Sequence, residues 1–173
     1  SAPELLKGYQ PTEDELRKAY AEDATKNVRP ETRRAAHILI PLAASAADDD
    51  VAKALTRIQE IEKQANAGSD FALLARTHSQ DKDTAVKGGD LGEITPGVLP
   101  KPLEDAVFVL KTGQLSKPVR TEYGYHLAKL LSYKPAAQKS FEESKPQLVK
   151  QLRQRKGEER YFEASEKFRN LVY

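Results

Sequence analysis

Three histidines, His37, His78 and His126, carry most of the chemistry open to this chain, because it holds no cysteine. Without thiols there are no disulfides, thiolate nucleophiles or cysteine-ligated zinc, and the compartment stays open. His37 lies in Ala-Ala-His-Ile-Leu-Ile, and His126 in Tyr-His-Leu-Ala-Lys-Leu-Leu. Alternation places His37 with Leu39 on one face of a strand, and His126 with Ala128 and Leu130 on one face of another. If the two strands are neighbours, two imidazoles meet within a sheet. Such a pair is commonly structural. A metal centre is disfavoured, since no His-x-x-His or His-Glu-x-x-His spacing occurs. No metal or other cofactor is expected.

The second constellation is Gly-Gly-Asp-Leu-Gly at 88–92. A phosphate cradle follows a strand and opens a helix, so that free backbone N–H groups meet the anion. These glycines precede a strand, and no Lys-Ser/Thr follows them, so a nucleotide site is not expected. Gly88 and Gly89 are expected at positive φ, folding a loop back over the sheet, with Gly92 allowing close backbone approach. Asp90 is expected to pin the return and Leu91 to turn inward. Lys150, Arg153, Arg155, Lys156 and Arg160 are interleaved with Glu158 and Glu159, which reads as a solvated helix face. With a net charge of +2 over 173 residues, no nucleic-acid partner is expected.

The elements that must hold these residues follow from periodicity. Thr12 and Glu15 form a capping box opening a helix through Leu16, Ala19 and Tyr20, which should fade before Arg29-Pro30. Residues 34–40 read as a buried strand ended by Pro41. Asp48-Asp49-Asp50 starts a helix with Val51, Leu55, Ile58, Ile61 and Ala65 as its apolar stripe. A short helix with Phe71, Leu74 and Ala75 follows, capped by Ser69 or Asp70. Residues 79–89 read as a loop, 91–95 as a strand and 101–110 as a helix with Pro102 in its first turn. Two strands, 119–121 and 125–131, flank a turn at 122–124. The expected fold is α+β: a four-stranded antiparallel sheet with surrounding helices over 33–134, between helical arms at 1–32 and 138–173. In the second arm Ser140 and Glu143 make another capping box, and Pro146 should kink the helix or delay its start to near Lys145. Phe141, Leu148, Leu152, Tyr161, Phe162, Phe168 and Leu171 need an apolar partner. No run approaches the ~18–20 apolar residues of a membrane span. The chain reads as a piece of something longer, with any anchor lying outside it.

Read together, the motifs Ala36–Ile40, Gly68–Ala75, His78-Ser79-Gln80-Asp81, Gly88–Gly92, Lys101–Phe108 and Thr121–His126 resemble the parvulin-type peptidyl-prolyl cis/trans isomerases, in order over roughly 100 residues. The flanking arms are similar to those of bacterial periplasmic foldase-chaperones, the membrane-anchored PpiD type first and the SurA and PrsA types second. The resemblance implies phosphate-independent, non-covalent rotation of X–Pro bonds in unfolded or partly folded exported polypeptides, in a periplasmic setting tethered to the inner membrane. It places His37 and His126 in a polar floor, with Thr121 beside them. Asp81 either polarises the site or caps its loop. Leu91, Leu99 and Leu103 either wall a prolyl cup or pack as core. Two departures stand out: Leu103 replaces a common phenylalanine and Leu99 a frequent methionine, which implies modest activity. The stretch after the first strand, ending in Asp48-Asp49-Asp50, is acidic where phospho-specific relatives are basic. The alternative reading is a client-binding chaperone module with weak or absent catalysis.

Overall fold

The computed structural model describes residues 2–22 and 27–172; residues 1, 23–26 and 173 of the two expected arms lie outside the described residues. The chain divides into two compact units, one of residues 31–135 and one formed by 1–30 with 136–173.

The 31–135 unit is built on a four-stranded antiparallel sheet of order β3-β2-β5-β4. Its strands are β2 (Thr32–Pro41), β3 (Asp90–Ile94), β4 (Val119–Thr121) and β5 (Gly124–Lys134). The helices are α3 (Asp48–Asn66), α4 (Phe71–His78), α5 (Lys82–Ala85) and α6 (Lys101–Phe108). Strands β2 and β5 are the central pair and supply both cores, because successive side chains point to opposite faces. Ala36, Ile38, Ile40 and Leu127 pack with Ile58 and Ile61 of α3 and Phe71 and Leu74 of α4. Ala35, Ala128 and Leu130 pack on the other side with Ile94 and with Leu103 and Val107 of α6. Between Arg34 and Ala35 the partner jumps from Ser132 to Leu130, so β5 carries one extra residue, Leu131, which sets its phase against β2. A bulge of this kind changes which face each later residue joins.

One element departs from the expected loop at 79–89: residues 82–85 close a helical turn, with the N–H groups of Thr84 and Ala85 both donating to the Asp81 carbonyl. Four residues are too few to show periodicity. The unit therefore has four helices among its described residues where three were expected. The β4–β5 hairpin turns through Glu122-Tyr123, and Gly124 is required there. A Cβ on it would lie 2.2 Å from the Ile40 carbonyl oxygen.

The second unit consists of α1 (Ala2–Leu5), α2 (Glu13–Glu22), α7 (Phe141–Val172) and a small antiparallel pair, β1 (Val28–Arg29) with β6 (Ala137–Gln138). Helix α2 lies before Arg29-Pro30, as expected, and residues 28–29 form a short strand that the sequence did not announce. The Thr12–Glu15 capping box is complete: Glu15 N–H donates to Thr12 Oγ1 at 3.1 Å and Thr12 N–H to Glu15 Oε1 at 3.4 Å. Helix α7 begins at Phe141, not nearer Lys145, and runs through Pro146. Ser140 caps it, its hydroxyl accepting from Glu143 N–H at 3.1 Å. Pro146 lies just past the first turn and so forfeits one intrahelical bond, the one to the Glu142 carbonyl. Near its start, α7 packs on the N-terminal segment. Leu148 is fully buried, Tyr20 meets Phe141 edge-on at 5.7 Å, and Arg153 and Arg160 donate to the carbonyls of Tyr9 and Leu5. Toward its end Tyr161, Phe162, Phe168 and Leu171 stay exposed. Among the described residues no helix is long and apolar enough to cross a membrane.

Candidate functional site

The β2–β5 register pairs Leu39 with His126 and His37 with Ala128. His37 and His126 are therefore diagonal neighbours on one face, a distance long side chains bridge. Their Nδ1 atoms are 3.0 Å apart, and their rings meet edge to edge with centroids 5.2 Å apart and planes 22° apart. Both are almost wholly buried. At one end Thr121 Oγ1 lies 2.6 Å from His126 Nε2. At the other, Asp81 Oδ2 lies 2.7 Å from His37 Nε2. All four polar residues expected at the site thus form one chain, Asp81–His37–His126–Thr121.

What carries Asp81 to His37 is the outer edge of β2. From Arg33 to Ala36 that edge is paired with β3. Beyond it, the N–H of His37 donates to the Gly89 carbonyl at 2.9 Å. Leu39 N–H donates to Ser79 Oγ at 3.1 Å and its carbonyl accepts from Gln80 N–H at 2.8 Å. The 79–89 segment replaces a neighbouring strand and leaves no unpaired donor there. Gly88, Gly89 and Gly92 all have positive φ, at 70°, 85° and 74°. Gly89 admits no side chain, since a Cβ would lie 2.4 Å from the His37 carbonyl oxygen. Asp90 pins the return: its carboxylate accepts from Gly92 N–H at 2.7 Å and from both nitrogens of an Arg34 fork.

The proton inventory follows from donors and acceptors. With Asp81 ionised, His37 Nε2–H donates to it and His37 Nδ1 is bare. That nitrogen accepts His126 Nδ1–H, which leaves His126 Nε2 to accept Thr121 O–H. Thr121 Oγ1 in turn accepts Tyr123 N–H at 3.2 Å. With both imidazoles neutral, every proton has one acceptor. Burial, together with the repulsion of a charged His37, lowers the pKa of His126 to about 4 against an opposing pull from Asp81. Burial alone would raise the Asp81 pKa. Hydrogen bonds from Thr84 and His37 outweigh it and hold the carboxyl below its usual value. The site is therefore an ordered, uncharged dipole chain with a negative charge at one end.

The three expected leucines stand on this same sheet face, in the core around Ala128 and Leu130. Leu91 and Leu99 are partly exposed at its margin, and Leu103 is fully buried within it. His78 belongs to the last turn of α4 and makes no part of the chain. Sequence reasoning missed Ser79, Tyr123 N–H and Thr84, whose hydroxyl donates to Asp81 Oδ2 at 2.7 Å. Asp-x-x-Thr carries no signal beyond a helix cap. No group of three or more histidines, aspartates or glutamates able to hold a metal occurs among the described residues.

The profile of the family described as Rotamase, PPIC-type PPIASE domain, matches residues 37–132. The foldase protein PrsA of Geobacillus sp. (strain WCH70) is 39% identical over 145 residues, 84% of this chain and 45% of the relative. The chaperone SurA of Burkholderia lata is 40% identical over 121 residues, 70% of this chain and 26% of the relative. Among solved structures, one from Campylobacter jejuni, described as belonging to the SurA-like chaperones PEB4 and the periplasmic protein Cj1289, superposes with a TM-score of 0.65. Its identity is 25%, covering 99% of this chain and 65% of the other. These are the SurA and PrsA types that the arms placed second. The chain spans 34% to 45% of the length of the PrsA relatives it matches.

Proposed function

The chain belongs to the PPIC-type peptidyl-prolyl isomerase (rotamase) family, and from that premise we propose that the histidine-bearing face of the sheet rotates X–Pro bonds in client polypeptides. The observation that carries this reading is the continuous chain Asp81–His37–His126–Thr121 beside Leu91 and Leu99 on one face. A planar prolyl amide is dipolar, with negative charge on its oxygen, and its rotation barrier is roughly 18–20 kcal/mol. Twisting removes the resonance and much of that dipole. A site that holds a carboxylate near the carbonyl oxygen disfavours the planar form relative to the twisted one, which is the differential binding catalysis requires. No bond is made or broken. Leu91 and Leu99 would meet the proline ring, with Leu103 backing them. The acidic start of α3 argues against preference for phosphorylated substrates.

The expected substrates are unfolded or partly folded exported polypeptides, handled outside the cytoplasm in a bacterial envelope. An inner-membrane tether in the whole protein is the finer form of that reading. The test is exchange spectroscopy on an Ala-X-Pro-Phe peptide. Cross-peaks between cis and trans forms should exceed the uncatalysed rate, and they should weaken in Asp81→Asn. A rate equal to the uncatalysed one for every X sinks the reading.

A second activity, holding unfolded chains, is favoured by the exposed Tyr161, Phe162, Phe168 and Leu171 of α7. Replacing these four by serine should abolish suppression of client aggregation and leave isomerisation intact. Unchanged suppression would remove this reading.

A further inference from the structure

We propose that Thr84 is a positioning residue of the isomerase site, selecting through Asp81 the tautomer of His37 and, through it, that of His126. This rests on the reading of the histidine face as the isomerase site.

Four hydrogen bonds close a ring around His37. Its backbone N–H donates to the Gly89 carbonyl at 2.9 Å, and Gly89 N–H donates to the Thr84 carbonyl at 2.8 Å. Thr84 O–H donates to Asp81 Oδ2 at 2.7 Å, and the same oxygen accepts from His37 Nε2–H at 2.7 Å. The ring starts at the backbone of His37 and returns to its side chain. Thr84 is its one member that joins the glycine turn to the carboxylate. Its backbone is fixed independently, since Lys87 N–H also donates to its carbonyl. Its hydroxyl is therefore held where it must donate to Asp81, because the carboxylate is acceptor-only when ionised.

The consequence runs down the chain of imidazoles. With Thr84 donating to Oδ2, the carboxylate stays ionised and oriented, and His37 must present Nε2–H to it. Nδ1 of His37 is then an acceptor, His126 must carry its proton on Nδ1, and Thr121 must donate to His126 Nε2. Remove the hydroxyl and Asp81 loses one of its two short side-chain donors. Its carboxylate then keeps only His37 and the Asp83 backbone N–H, and the order of donors along the site is held less firmly. Groups that orient a histidine in this way commonly decide which nitrogen carries the proton.

The experiment compares the full chain with Thr84→Val, which is isosteric, and Thr84→Ser, which restores the hydroxyl. Long-range proton–nitrogen correlations of the imidazoles at pH 7.5 report the tautomers directly, and kcat/KM is measured on an X–Pro peptide. In the unaltered chain His37 is expected as the Nε2–H form and His126 as the Nδ1–H form. In Thr84→Val both should become mixtures and kcat/KM should fall by about tenfold, the loss of one hydrogen bond to a charged group. Thr84→Ser should recover both to within about twofold. Unchanged tautomers in Thr84→Val overturn the proposal, whatever the rate does. A loss of kcat/KM that serine fails to rescue also overturns it. If His37→Ala leaves kcat/KM untouched, the reading of the face as catalytic falls instead. The tautomer measurement still decides on Thr84's hold over His37.

Discussion

The two units bury polar groups in opposite ways. In the 31–135 unit each buried side-chain hydroxyl or imidazole has a partner: Ser79 with Leu39, Ser116 with Ala128, Thr121 with His126, His37 with Asp81. In the arm unit the hydroxyl of Ser144 is buried in α7 with no hydrogen-bond partner among the described residues. Meanwhile large aromatic side chains at the far end of the same helix face solvent. The difference teaches where structural specificity has been spent. A fully satisfied buried network fixes one arrangement of donors and acceptors. A helical scaffold held by apolar contacts and by surface ties such as Arg153 and Arg160 to backbone carbonyls tolerates an orphaned hydroxyl and an uncovered end.

The strongest way to break this contrast is to disturb the turn that closes the site. Gly89→Ala forces a side chain at φ 85°, with its Cβ 2.4 Å from a backbone oxygen. Left-handed strain of about 1–2 kcal/mol adds to overpacking of about 1–3 kcal/mol, so denaturant unfolding should show a loss of about 2–5 kcal/mol. A loss under about 1 kcal/mol would mean that the turn is soft and the site is not rigidly framed.

Acid is the next lever. His126 has a folded-state pKa of about 4, lowered from 6.5. Below that ordinary value an unfolded imidazole takes up a proton that the folded one refuses. The stability present above about pH 6.5 is therefore lost progressively as pH falls towards 4, by up to about 3 kcal/mol. Asp81, with its pKa lowered, acts further down, losing its contribution only as pH falls below the ordinary carboxylate value. Denaturation midpoints at pH 7, 5.5 and 4 should show the first loss. His126→Phe should flatten the curve between pH 6.5 and 4. A slope unchanged in that variant would assign the acid sensitivity elsewhere.

How much of this was legible in the sequence follows the same division. Long strands with strict alternation announced themselves, so the meeting of His37 and His126 could be read from Ala-Ala-His-Ile-Leu-Ile and Tyr-His-Leu-Ala. The glycines at 88 and 89 could be read too, because a return loop needs positive φ. Thr84 could not: its role depends on a four-residue helix with no periodicity and on a partner brought in by tertiary folding. The β1–β6 pair was also hidden, since two-residue strands carry no pattern. Proline at 146 pointed to a delayed or kinked helix, yet the Ser140 cap and the packing of Phe141 on Tyr20 outweigh its local cost. Local propensity failed where tertiary contacts decided.

Deleting one hydroxyl from each unit turns the contrast into a sign. Thr121→Val strands His126 Nε2 in the interior and should cost about 1–3 kcal/mol. Ser144→Ala removes a group that already lacks a partner and should raise stability by about 1 kcal/mol. If both variants are destabilised alike, Ser144 has a partner in solution and the two units are less different than they look.

Gly157 gives the smallest and sharpest comparison, because it is the arm unit's counterpart to Gly89. It lies inside α7 with no positive φ, and a Cβ there would meet Leu6 Cδ2 at 3.6 Å, an ordinary contact. Glycine within a helix costs about 1 kcal/mol relative to alanine. Gly157→Ala should therefore stabilise by up to about 1 kcal/mol in thermal or denaturant unfolding, with isomerisation unchanged. The identical substitution would then be strongly destabilising at one glycine and favourable at another. That pair of signs distinguishes a glycine demanded by geometry from one the helix merely tolerates. A loss at Gly157 would show that the turn at Leu6 packs closer to α7 than a 3.6 Å contact allows. The arm unit would then share the tight framing otherwise confined to the sheet.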